Sequence, residues 1–541
     1  EYVESFAVVN GEFFAVGSTD YVRQMIGDRR VEKVIDLSEP QWKNQFIMPG
    51  LHDAHVHLVL GGRAVLGVKL RHVQNKQQFI ASVKRHIERN RLKKGDWILG
   101  AEWNDDHYPP GESPVKEWID EFTQDFPVYL IRMDAHSCLV NSKTLELANI
   151  TRHSMDMEGG HIEKDPITGE PTGILKDKAM NLVQRILPDL DDMKSLKAAM
   201  NQLAMNGITS VTNMNYIENS WKDLETFLSA KHNGDLKARV FATTKMSDLD
   251  RLIEYIKVNG RGDNWVQWGA LKEFYDGSLG SKTAYMFEPY VGTNNTGLRT
   301  IDPEELLQYA RKAYQHDIQM VVHAIGDRSN HELLNIFETV IREAEKSGIK
   351  KDHRFRIEHV QHLNRNDTHR FEQLNVIASV QPCHLLEDAA NIEGLLGARR
   401  TLESYVFKSL SQSHDIDNDT TNKQFPMIAL GTDWPIAELD PIANIYAAVT
   451  RKTKSHPMGF NTAENISVRE ALKAYTFSGA FASFNEKRFG LIREGYLADL
   501  TFLSSNLLEI DTDDIPNTTI MATIVGGKVT YNATALSEEA I

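Results

Sequence analysis

Six short apolar runs between residues 208 and 435, with polar or charged residues at their ends, constrain this chain more than any other feature. They read ITSVTNM (208–214), VQWGALKEF (266–274), IQMVVHAIGD (318–327), FRIEHVQ (355–361), VIASVQPCHL (376–385) and PMIALGTDWP (426–435). Stretches such as DPEELLQYARKAYQHD (302–317) and SNHELLNIFETVIREAEKSG (329–348) lie between them and carry apolar residues at helical spacing. Runs of this length suit strands buried on both faces, and alternation with helices lays such strands parallel. The chemically capable residues His323, His359, Gln381, His384 and Asp433 fall at or near run ends, where a closed barrel builds its active site. The pattern predicts an α/β fold, a (β/α)8 TIM-like barrel. A doubly wound open sheet is the competitor, but no Gly-rich phosphate loop stands where that fold would need one.

The chain ends keep a different rhythm. Residues 1–18 and 495–531 alternate like strands, with Asn10-Gly11 and Gly526-Gly527 as hairpin turns. The expected organisation is a small flanking β-sandwich from 1–46 and 486–541, a barrel from 47–66 and 200–485, and an inserted cap from 67–199. That insertion holds the turn-rich GGHIEKDPITGEPTGIL. The run SHDIDNDTTNK (413–423) reads as a solvated loop. At 541 residues the chain exceeds what one growing core usually holds.

Charge narrows the partners. With 60 basic against 75 acidic residues and a net charge of −15, there is no basic excess for nucleic acid, and a small-molecule substrate fits better. No run approaches the roughly 18 apolar residues of a membrane span. Two cysteines, Cys138 and Cys383, make no disulfide framework. The first residue is Glu1 rather than Met, which leaves cytoplasmic, periplasmic and secreted locations open.

The stretch FIMPGLHDAHVHLVLGG (46–62) sets His52, His55 and His57 in apolar, glycine-containing surroundings. Side chains two apart on a strand share a face, so His55 and His57 can converge on one metal ion. With 20 histidines in the chain, about 0.7 His-x-His pairs arise by chance, so the motif needs company.

That company exists. PGLHDAHVHL, KEFYDGSLGSKTA, VVHAIGD, RIEHVQ and LGTDWP follow one another in an order that resembles the amidohydrolase superfamily, and more narrowly amidohydrolase family 3, which includes N-substituted formamide deformylases. The resemblance implies that His55, His57 and Asp433 hold one metal ion and that His323 and His359 hold a second. Lys272, carboxylated on its amine, would bridge two zinc ions; an unmodified Lys272 would imply a single-metal site. A buried lysine loses its proton more easily, and a neutral amine can form a carbamate, so the assignment is chemically sound. Imidazole and carboxylate donors suit zinc, but also iron, manganese or nickel. Asp433 would take a proton from the attacking water and pass it to the departing amine. His136, Asp276, Gln381 and His384 lie in family-like motifs and are expected to orient ligands or hold substrate.

The implied activity is metal-dependent hydrolysis of a non-peptide C–N bond, in a linear N-acyl or N-formyl amine. The alternatives are a cyclic amide or ester hydrolase using the same centre, or a catalytically silent ligand-binding relative. The family also makes a homodimer the expected assembly. Against the family pattern, the sequence given opens at EYVESFAVVNG without the strand that usually starts the sandwich domain, so an incomplete small domain is expected, and Asn213 stands where relatives commonly carry an acidic residue.

Overall fold

The strand rhythm closes into a barrel. In the computed structural model, which describes residues 3–31, 34–36, 45–103, 105, 108–109, 112–132, 137–157, 160–214, 220–411 and 428–533, eight parallel strands follow one another. They are β1 (Leu51–Val56), β2 (Ile208–Asn213), β3 (Arg239–Lys245), β4 (Val266–Phe274), β5 (Gln319–Ala324), β6 (Arg356–His359), β7 (Ile377–Val380) and β8 (Ile428–Leu430). Each is hydrogen-bonded to the next in that order. Just beyond β8, Asp433 N donates to His55 O at 2.8 Å and His57 N to Trp434 O at 2.8 Å, which brings the last strand back to the first. All six apolar runs contain barrel strands. The apolar reading passes over β3 because RVFATTK is half polar; its threonines are nonetheless buried in the wall, where β-branched side chains pack well on a pleated surface.

The helices between strands bury the faces their spacing predicts. Helix Asp327–Lys346 turns Leu333, Leu334, Phe337, Val340 and Ile341 inward, each contributing roughly 1.5–3 kcal/mol on burial. Helix Pro303–Gln315 starts where Asp302 accepts from the Glu304 and Glu305 N–H groups, with proline in the first turn.

Four antiparallel strands, in the order Lys528–Asn532, Ile520–Val525, Leu500–Leu503 and Phe46–Pro49, form the flanking sheet. The hairpin Ser5–Val9/Glu12–Gly17 joins it through a core of Phe13, Ala498, Leu500, Phe502, Ala522 and Ile524. Both expected turns take positive φ, and they abut: a Cβ on Gly11 (φ 83°) would lie 2.7 Å from Gly526 O. Arg239 at the start of β3 binds Asp499 through Nε and Nη2 at 2.7 and 2.8 Å. Residues 1–58 and 200–541 thus form one compact unit that includes both barrel and flanking sheet.

The second unit is Val59–Ala199. It begins before residue 67 because helix Leu58–Leu66 is tied through Arg63 to Asp192 at 2.6 Å. Its six-stranded sheet runs Val68–Lys69, Ile98–Trp103, Val128–Arg132, Ser137–Val140, Pro171–Asp177 and Gly160–Lys164, the first three parallel and the rest antiparallel. One core, with Phe79, Trp118 and Leu130, covers one face, and another, with Tyr129, Val140 and Leu175, the other. The expected GGHIEKDPITGEPTGIL hairpin is the last strand pair. Cys138 and Cys383 are free thiols. Among the described residues no helix is long and apolar enough to cross a membrane. The run 413–423 lies outside the described residues.

Gly11→Ala and Gly234→Ala both force a side chain into the left-handed region, at about 1–2 kcal/mol each, but only Gly11 meets a neighbour within 4 Å. Urea unfolding is expected to show the larger loss for Gly11→Ala; equal losses would mean the two turns do not pack together.

Candidate metal centre at the barrel mouth

A bulge in β1 aims the histidines. Asp53 and Val56 pair with Val211 and Asn213 of β2, so one strand uses an extra residue over this step, and such a bulge redirects the side chains beyond it. His52, before the bulge, is consumed in the wall by Ser210 Oγ at 2.8 Å and Thr212 Oγ1 at 3.1 Å. Within it and just past it, His55 and His57 both reach Asp433. His57 Nε2 lies 3.0 Å and His55 Nε2 3.3 Å from the same oxygen, Oδ1. His384 Nε2 faces the other oxygen, Oδ2, at 3.5 Å.

Barrel closure places that carboxylate. Asp53 accepts from Thr432 Oγ1 at 2.7 Å and from His55 N at 3.1 Å, pinning the exit of β8 to β1. Burial raises the Asp53 pKa to about 7 against the pull of these hydrogen bonds. Gly431 lies so close to β1 that a Cβ there would stand 2.6 Å from His55 N. Asp433 follows at φ 60°, and His359 and Val360 end β6 at φ 76° and 46°. Such left-handed non-glycine residues persist where the surroundings over-determine them, often at functional sites.

Each imidazole is anchored through its other nitrogen. His55 Nδ1 donates to Glu358 Oε2 at 2.7 Å, His57 Nδ1 to Met214 O at 2.9 Å, and His359 Nδ1 to Gln381 Oε1 at 2.7 Å. With the ring neutral, Nε2 then presents a lone pair. His323 is the reverse: its Nε2 donates to Gly277 O at 3.0 Å, freeing Nδ1. Burial lowers the His55 pKa to about 4 and that of His323 to about 3, and drives His359 well below its usual value. These rings are neutral at pH 7, the form that binds metal.

The donor set fits a cation. Lone pairs on two imidazoles cannot face one carboxylate oxygen at 3.0 and 3.3 Å with nothing between them. A proton on one ring relieves one contact; a metal ion relieves both. Donor atoms of His55, His359 and Asp433 lie within 4.8 Å of one another, and the His323 and His359 ring centroids are 4.4 Å apart. The donors of the expected His55/His57/Asp433 and His323/His359 sites thus lie next to one another in one continuous cluster.

Lys272, on β4, is 3% exposed, and its charge is felt at His55, His323 and His359. Burial brings its pKa down to about 8, opposed by Glu358 and Asp433. A neutral amine is thus within reach near neutral pH.

A sequence profile of the Amidohydrolase family matches residues 33–531. The chain belongs to this family. It is 36% identical to Protein LONG AFTER FAR-RED 3 of Arabidopsis thaliana over 98% of this chain and 88% of that protein. It is 23% identical to an N-substituted formamide deformylase of Arthrobacter pascens, over 98% and 95% of the two chains. Among solved structures, an uncharacterized metal-dependent hydrolase from Pyrococcus furiosus superposes with a TM-score of 0.73 and 26% identity, covering 94% of this chain and 96% of that one.

Within this amidohydrolase, the four expected substrate residues separate. His384 faces the metal cluster through Asp433. Gln381 is 2% exposed and serves His359, while its Nε2 donates to Ser379 O at 3.3 Å. Asp276, 1% exposed, accepts from Ile325 N, Gly326 N, Tyr285 N and Ser329 Oγ, so its oxygens are taken up by the loops beside His323. Its Oδ1 also lies 3.4 Å from His323 Nε2, so it stands behind that ring as well as the loops. His136 lies outside the described residues. Asn213 uses Oδ1 to accept from Leu58 N at 2.9 Å.

The sequence reading missed Arg356 and Glu358, both 0% exposed. Arg356 Nε and Nη2 meet Glu358 Oε1 and Oε2 at 2.8 and 3.0 Å. Burial works to raise the Glu358 pKa, but Arg356 and His55 bring it down to about 2. A charged pair two apart in the apolar run FRIEHVQ was the available signal, because buried charges demand partners.

Two outcomes follow. Glu358→Gln keeps an acceptor for His55 but removes the charge behind it, and should weaken metal affinity about 10–100-fold in a chelator-competition titration; unchanged affinity would dismiss the anchoring role. In metal-stripped protein, the unfolded chain binds protons at pH values between the ordinary histidine pKa of 6.5 and the folded values near 4 for His55 and 3 for His323. Stability then rises with pH through that window, so thermal melts should drop from pH 7 to pH 5. A flat profile would contradict buried neutral rings.

Proposed function

We propose that this amidohydrolase is metal-dependent and cleaves a non-peptide C–N bond in a linear amide, an N-acyl or N-formyl amine. His55, His57 and Asp433 would hold one divalent ion and His323 and His359 another, with carboxylated Lys272 as the bridging ligand. Bound there, such ions polarise an acyl oxygen and lower the pKa of water from 15.7 toward about 7. The rest is the work of the chain. The neutral imidazoles of His55 and His359, locked by Glu358 and Gln381, and the His57 ring, held by Met214 O, stay fixed on the centre and spare reorganisation during reaction. Burial works against the charge of Asp433, and a cation bound beside it would favour that charge.

A single observation carries the reading: Asp433 divides its oxygens, with Oδ1 between His55 and His57 and Oδ2 turned to His384. The second oxygen is free to take a proton from the attacking water and return it to the amine nitrogen as the C–N bond breaks. An amine leaves poorly without that proton. The family assignment and the Arthrobacter pascens relative support a C–N bond and a simple acyl group.

The test is metal-stripped protein reloaded with zinc, with and without bicarbonate, against a panel of N-formyl and N-acetyl amines. At least one should turn over, faster when bicarbonate is present, and Asp433→Asn should lower kcat about 10²–10⁴-fold. Stoichiometric metal with no amide turnover would favour a ligand-binding protein, and indifference to bicarbonate would remove the carbamate.

A further inference from the structure

We infer, building on that hydrolase reading, that His384 is a catalytic residue whose Nε2–H donates to the carbonyl oxygen of the scissile bond, held in that tautomer by Gln361. His384 stands on helix Pro382–Asp388, immediately past β7 and Gln381. Its ring lies nearly parallel to His359, 16° between planes and 5.9 Å between centroids.

Both ends of the ring fix its proton. Gln361 is 4% exposed, and its Nε2 donates to His384 Nδ1 at 3.2 Å. Nδ1 must then be an acceptor, which leaves the hydrogen of a neutral ring on Nε2. At the other end Asp433 Oδ2 lies 3.5 Å away. Turning the Gln361 amide over would put the proton on Nδ1 and aim a lone pair at that carboxylate, a repulsive arrangement.

The Nε2–H so fixed has no hydrogen-bond partner among the described residues, though its atom is buried. An N–H oriented from behind and unmet in front is costly unless something fills the gap. A substrate oxygen beside Asp433 would do so. As the water oxygen bonds to the acyl carbon, the carbonyl π pair moves onto oxygen, where a preplaced donor is worth most. On collapse the C=O re-forms, the C–N bond breaks, and the amine takes its proton from Asp433. His384 exchanges no proton in this cycle; Gln361 is a positioning residue.

p-Nitroacetanilide and p-nitrophenyl acetate share an acetyl group and differ in whether the leaving group needs a proton. A lost oxyanion donor should cost both alike. His384→Phe is expected to lower kcat about 10²-fold on each probe, with KM and bound metal little changed. His384→Gln, which keeps an N–H, should recover part of the loss, and Gln361→Leu should show a smaller loss of the same pattern. A deficit confined to the anilide would place His384 behind Asp433's proton delivery, and a change in KM alone would make it a binding contact; either overturns the inference, as does no change. Long-range ¹H–¹⁵N imidazole correlations, assigned by the signal missing in His384→Phe, should show the Nε2–H tautomer. An Nδ1–H ring would overturn the inference even if neither probe is hydrolysed, whereas lack of turnover by the wild type counts against the hydrolase reading alone.

Discussion

The ion pair between Arg356 and Glu358 holds this site together. Both side chains are fully buried, two residues apart on β6, and stripping water from two charges costs several kcal/mol each. The cost is offset because every edge of the pair is used. Arg356 Nη2 also reaches Ala54 O on β1 at 2.8 Å and Ser379 Oγ on β7 at 3.0 Å, while Glu358 Oε2 accepts from His55 Nδ1. The pair thus ties three strands across the barrel interior and passes negative charge to the back of a metal-facing imidazole. Removing either partner would strand a buried charge, a loss of about 3–5 kcal/mol.

Above this layer the barrel's closure sets the chemistry. Asp53 and Gly431 draw the end of β8 against β1, and the left-handed turn at Asp433 points its carboxylate back across the mouth. One carboxylate can then serve two neighbours of different kind. Burial works against its charge, and a cation seated among the imidazoles would favour it. Lys272 responds to the same burial in the opposite sense, since desolvation always disfavours the charged form. The site therefore gathers a buried carboxylate, imidazoles and a readily neutralised amine, a donor set that suits a divalent ion.

The barrel was legible because burial on both faces writes apolar runs into the sequence, and β3 escaped notice because threonine can line such a wall without looking apolar. Candidate ligands were legible because histidines and Asp433 at strand ends have no packing reason to be there. Asp276 and Gln381 looked alike in sequence, polar residues near strand ends, yet one secures loops and stands behind His323 while the other anchors His359. Glu358 and Gln361 went unread, as their roles lie wholly in whom they touch.

The sequence by itself determined the order of strands and helices, the absence of a basic excess and the donor chemistry at the barrel's mouth, since periodicity and residue type are local properties. Tertiary structure decided which oxygen of Asp433 meets which ring, which nitrogen of each histidine is free, and where the bulge in β1 turns. His57 and Asp433 meet across 376 positions of chain. No local pattern encodes a contact of that span; only the closing of the barrel brings it about.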